Sequence, residues 1–202
     1  MAGELRVPEA AQGVVVFAHG SGSGRCSPRN RHVADVLNQA GLGTLLFDLL
    51  TPEEEADRAK VFDVALLADR LLTRTAWVRE HSGTAGLPIA YFGASTGAAA
   101  ALWAAAEPDN AIAAIVSRGG RPDLAGPRLA AVRAPTLLVV GGRDPVVVGL
   151  NEEARRRLRA ETRMTVVPGA THLFEEPGAL EAVAEHARDW FTTHFAAPGR
   201  PM

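Results

Sequence analysis

Short unbroken apolar runs alternate along this chain with longer stretches in which apolar residues recur every three or four positions. Val14 to Ala18, VVVFA, is a β-branched run following Gly13 and reads as a strand buried on both faces. Ser27 then offers an N-cap with Pro28 at the first helical position, and Val33, Val36, Leu37 and Ala40 keep helical spacing until Gly41. Thr44 to Leu49 predicts the next strand, and Phe62, Ala65, Leu66, Leu72 and Ala76 mark one face of a long helix, interrupted by Asp69. Leu87 to Phe92 is again a strand, followed by a helix from Thr96 to Glu107 that Pro108 ends. Ala111 to Ser117 and Thr136 to Val140 are further runs of strand length. A helix over Asn151 to Arg159, a short strand Met164 to Val167 and a helix near Ala179 to Phe195 complete the pattern.

Parallel neighbours in a sheet need crossover connections, which amphipathic helices supply. The predicted fold is therefore α/β: a three-layer α/β/α sandwich around a mostly parallel sheet of about six or seven strands, to which GELRVP near the start adds an edge strand. A length of 202 residues, 47% of them apolar, suits a single domain with its core over about 13–195.

In such sheets ligands bind beyond the carboxyl ends of the strands. The strand Leu87 to Phe92 runs into GASTG, residues Gly93 to Gly97, which fits G-x-S-x-G at a strand-to-helix turn. Small neighbours let the backbone of Ser95 adopt a strained conformation, and the same five residues also fit a glycine-rich turn with a serine cap. Partners decide between these readings, because a serine hydroxyl attacks only when a base takes its proton and a carboxylate orients the base. Asp144 follows the strand Thr136 to Val140 in GGRDP, and His172 follows Met164 to Val167 in PGATHLF. Alone, each is an ordinary turn or loop residue; together they give Ser, Asp and His at successive strand ends, in nucleophile-elbow order.

The first strand ends in HGSGSGR, His19 to Arg25. Its glycines, Gly20 and Gly22 among them, allow close approach to a substrate, and the N–H groups of Ser21 and of Thr96 are the expected oxyanion-hole donors. His19 is expected to brace this loop. The same segment fails as a nucleotide loop, since Arg25 or Ser27 stands where G-x-G-x-x-G needs glycine.

Charge and composition narrow the field. The 21 basic residues, all arginine except Lys60, are interspersed with 23 acidic ones and form no basic stripe, which argues against nucleic acid. No apolar run approaches a membrane span, the first ten residues do not read as a secretory signal, and Cys26 is the sole cysteine, so a soluble cytoplasmic protein without disulfide or zinc cluster is expected. Arg25, Arg118 and Arg121 each follow a strand end and are candidates for pairing with an anionic group of a substrate.

With these residues the chain resembles the α/β-hydrolase superfamily, and within it small dienelactone-hydrolase-like proteins with HGSGSGR and SPRNR segments. The resemblance implies a serine hydrolase acting on small, short-acyl carboxylic esters, with Ser95, His172 and Asp144 as triad and no metal or organic cofactor. It departs from the dienelactone hydrolases proper in having Ser95 where they carry cysteine, and in a leading antiparallel hairpin that must be short or missing. The connection Arg118 to Ala134 leaves no room for a large lid. Acyltransferase or thioesterase chemistry would use the same groups, and a non-catalytic binding protein could share the scaffold. A monomer or homodimer fits either.

Overall fold

A computed structural model describes residues 3–196. Its strands are β1 (Gly3–Arg6), β2 (Val14–Ala18), β3 (Gly43–Phe47), β4 (Ile89–Ala94), β5 (Ile115–Arg118), β6 (Thr136–Gly141) and β7 (Thr162–Val167). They form one sheet in the order β1-β3-β2-β4-β5-β6-β7. Among the described strands only β1 runs antiparallel, against β3.

The helices are α1 (Pro28–Gln39), α2 (Pro52–Glu55), α3 (Arg58–Val61), α4 (Val64–Glu80), α5 (Thr96–Ala105), α6 (Pro145–Arg157) and α7 (Ala179–Ala196), with a kinked 3₁₀ segment Pro122–Ala131 between β5 and β6. Strand alternation divides the core. Val14, Val16 and Ala18 join the layer made with α4, α5 and α6, whereas Val15 and Phe17 join the layer made with α1 and α7. Burying each such large side chain contributes about 1.5–3 kcal/mol, so a sheet covered on both sides is where the VVVFA type of run belongs. Among the described residues no helix is long and apolar enough to cross a membrane.

Four elements differ from the pattern reading. The long helix begins at Val64 rather than Phe62 because Asp63 caps it, its Oδ1 accepting the Leu66 N–H at 3.0 Å, while Phe62 closes the short α3. The unforeseen α2 is set by a capping box in which Thr51 and Glu54 satisfy each other's backbone N–H groups. α6 begins at Pro145, well before Asn151, since Asp144 caps it and outweighs the weak helix preference of Val146 to Val148. β5 is also shorter than the run Ala111 to Ser117, as Asn110 is fixed to the Tyr91 hydroxyl (3.0 Å) and the Ala104 carbonyl (2.8 Å) and the chain enters the sheet only at Ile115.

Candidate active site

The carboxyl ends of β2, β4, β6 and β7 bring the expected residues to one rim of the sheet. Ser95 joins β4 to α5 with φ 50° and ψ −120°. A side-chain-bearing residue held at positive φ costs about 1–3 kcal/mol, so its surroundings must enforce it. They do so through three hydrogen bonds: the Ser95 N–H donates to the Arg118 carbonyl at 3.2 Å, and the Ser95 carbonyl accepts from Ala98 (3.1 Å) and Arg121 (3.0 Å). Close packing completes the turn. A methyl group on Gly97 would lie 2.1 Å from the Ala18 carbonyl oxygen, and one on Gly20 would lie 2.8 Å from Ser95 Cβ, so only glycine lets α5, β2 and the first loop meet here.

Asp144 and His172 come together across the β6 and β7 ends, with Nδ1 of His172 2.9 Å from Oδ2 of Asp144. An ionised carboxylate only accepts, so Nδ1 carries the proton and Nε2 of the neutral ring is left as the base. The second carboxylate oxygen is also committed, Oδ1 accepting the Val147 N–H at 3.3 Å as the cap of α6. The imidazole is about two-fifths exposed (39%) while the carboxylate beneath it is 19% exposed, so water reaches the ring but less of its partner. The ring edge overlies Gly119, where a methyl group would come within 3.6 Å of Cε1. Ser95 meets the same strand end through the Arg118 carbonyl, yet its hydroxyl makes no hydrogen bond among the described residues. Catalytic contacts of this kind are often loose before substrate binds.

Two features of the His172 loop escape a reading of sequence. Glu176 accepts the Thr171 N–H at 3.1 Å, which fixes the turn before His172, and hydrogen bonding from the Thr171 side chain and then its backbone holds the carboxyl below its usual range. Phe174 is buried at φ 55° and anchors the far side. The neighbouring Pro177 was the only local hint of such a constrained turn.

In the first loop His19 is buried, with Nε2 accepting the Leu49 N–H at 2.8 Å and Nδ1 3.0 Å from the Gly20 carbonyl. That pair of bonds requires the Nδ1–H tautomer and ties the loop to the end of β3. Among the described residues the N–H groups of Ser21 and Thr96 donate to no protein acceptor. Beside them a small recess is lined mainly by Leu49, Leu50, Val61 and Leu67, with Glu55 at its border.

The remaining candidates separate. Gly20 packs on Ser95, whereas Gly22 lies out in an exposed turn at φ 65°. Arg25 is taken up by Asp48, which it meets through its side chain and, at 2.9 Å, its backbone N–H. Arg121 is forked onto Asp123 at 2.9 and 2.7 Å. Arg118 is buried at 6% exposure with no carboxylate of the described residues on it, and burial, then the nearby Arg29, lower its pKa to about 10.

Residues 11–193 match the sequence model of the Alpha/beta hydrolase domain. The chain belongs to the alpha/beta hydrolase family. This alpha/beta hydrolase is 55% identical to a dienelactone hydrolase from Anabaena variabilis, whose crystal structure superposes with a TM-score of 0.91 over 95% of this chain and 91% of that one. Est1E from Butyrivibrio proteoclasticus shares the fold at a TM-score of 0.81 with 15% identity, covering 96% of this chain and 94% of its own. Mycobacterium tuberculosis proteins provisionally named phosphoribosyl transferases are 62% identical over 199 residues, or 98% of this chain. The chain spans 45% of the length of those curated relatives.

Proposed function

We propose that this alpha/beta hydrolase cleaves small, short-acyl carboxylic esters through an acyl-enzyme on Ser95. The observation that carries the reading is the His172–Asp144 contact of 2.9 Å at the ends of β7 and β6, on the rim where Ser95 is held at positive φ. Ser95 Oγ attacks the ester carbonyl as Nε2 of His172 takes its proton, and the N–H groups of Thr96 and Ser21 receive the oxyanion. His172 returns the proton to the leaving alcohol, then activates water to release the acid. Asp144 holds the ring in the tautomer these steps need. No step calls for a metal or organic cofactor.

The apolar recess beside Thr96 and Ser21, walled by Leu49, Leu50 and Leu67, is too small for a long acyl chain, which supports the short-acyl reading. The exposure of His172 gives water access to the ring, which supports hydrolysis over acyl transfer by the same groups. Strain kept at Ser95 argues against a binding-only scaffold, where relaxation to glycine would be free. We assign the phosphoribosyl transfer for which the Mycobacterium relatives are named to the part of those proteins that this chain does not span.

Hydrolysis of p-nitrophenyl acetate and longer homologues by the wild type and a folded Ser95→Ala variant tests the reading. The expected result is a fall of about 10⁴-fold or more in the variant and a rate that declines with acyl length. Equal turnover by both proteins, or preference for long chains, overturns it.

A further inference from the structure

Arg118 closes β5 one ladder step from the candidate nucleophile: it is the register partner of Ala94, and its carbonyl holds the Ser95 N–H. Strand alternation puts its side chain with Val116 on the α1 and α7 side of the sheet. There it is 6% exposed, and its Nη1 is sealed from solvent with no acceptor among the described residues. A buried guanidinium with no counter-charge opposes folding, and such groups persist where something else compensates them. The neighbouring charge makes matters worse. Arg29, in the first turn of the 12-residue α1, adds a second guanidinium, its Nη1 bound at 3.1 Å only to the exposed Glu175 and its Nε buried without a partner. Ser27 leaves that helix N-terminus without a side-chain cap, so its positive end adds to the field. Arg25 and Arg121, by contrast, each have an aspartate of their own.

We propose that Arg118 and Arg29 form an anion subsite, so that the esters cleaved at Ser95 carry a carboxylate or phosphate group. The small apolar recess beside Ser21 and Thr96 lies toward α4, on the opposite face of the sheet from Arg118, so the anionic group has a face of its own. Fork geometry and charge suit arginine to either oxyanion. The substrate part of this inference rests on the esterase reading above; the anion site itself does not.

Two measurements separate them. In the first, inorganic phosphate or succinate is added to the wild type, Ser95→Ala and Arg118→Met, and thermal denaturation is followed. Either anion should raise the midpoint of the first two and not of Arg118→Met, the larger rise identifying phosphate or carboxylate; no rise in the wild type overturns the site. In the second, kcat/KM is compared for 4-acetoxybenzoate, its neutral methyl ester and 4-acetoxyphenyl phosphate. The preference of the wild type for the anionic esters should fall about 10- to 100-fold in Arg118→Met, chiefly through KM, as expected for a lost charge-assisted bond. An unchanged ratio overturns the substrate assignment. If no ester turns over while the anion-dependent rise in midpoint disappears in Arg118→Met, the site stands and the esterase reading falls. Arg29→Met gives the same readouts should Arg118→Met not fold.

Discussion

Asp144 has two jobs on two oxygens, and Asp144→Asn divides them. Oδ1 caps α6 by accepting the Val147 N–H, and Oδ2 accepts from Nδ1 of His172. Asparagine caps helices about as well as aspartate, so its oxygen is expected to stay on Val147 and the folded state to change by less than about 0.5 kcal/mol. The amide nitrogen then faces Nδ1 of His172, which must become the acceptor. The proton moves to Nε2, and the imidazole can no longer take the hydroxyl proton of Ser95. Flipping the amide would restore the ring tautomer but set N–H₂ against the Val147 N–H, giving up a cap worth about 1 kcal/mol. A wrong tautomer of this kind costs about 10⁴ in kcat, or roughly 5 kcal/mol of transition-state stabilisation. The assay pairs p-nitrophenyl acetate turnover with urea denaturation for the wild type, Asp144→Asn and Asp144→Ala. Asp144→Ala should lose activity similarly and also about 1 kcal/mol of stability. Activity within tenfold of wild type in Asp144→Asn would refute the reasoning, because the carboxylate would then not be setting the tautomer.

Gly97→Ala is expected to lower stability by about 3 kcal/mol and to abolish turnover, since the clash is with the Ala18 carbonyl oxygen and backbone cannot step aside cheaply; denaturation midpoints check it. Ser95→Gly should be more stable than Ser95→Ala by about 1 kcal/mol, because glycine takes φ 50° without strain, a difference that thermal scans of the two inactive variants resolve. The hydrogen bonds from Arg70 hold the Glu54 carboxyl down at about 2. A depressed carboxylate stabilises the fold above its ordinary value near 4.5 and loses that contribution as pH falls toward 2, so Glu54→Gln should flatten the midpoint-against-pH curve between those values, and an unchanged slope would count against the pair.

The parts of the site that could be read from sequence were those fixed by local rules. Small residues around Ser95, a Gly-rich first loop and an aspartate before a proline mark sharp turns at strand ends, and the parallel sheet brings strand ends together without further information. The same locality misled the reading of Val146 to Val148, where three β-branched residues concealed a helix that a cap and Pro145 start. What the pattern could not supply was the state of the arginines. Arg25, Arg118 and Arg121 look alike in sequence, each just beyond a strand, yet only chain folding puts Asp48 on Arg25 and buries Arg118 with Arg29 near it. The pair Arg121 and Asp123, two residues apart, was within reach of a local argument. Arg29 carried no signal beyond its place in the SPRNR segment, and Glu176 none beyond its neighbour Pro177.

The central claim is that Ser95 is an activated nucleophile, and covalent labelling tests it most directly. The folded wild type and Ser95→Ala are treated with a fluorophosphonate, and the adduct is located by peptide mass spectrometry. A single adduct on Ser95 of the wild type, absent from Ser95→Ala, is the predicted result. Label found on Cys26 or another serine, or an equal yield of adduct from both proteins, would contradict the account.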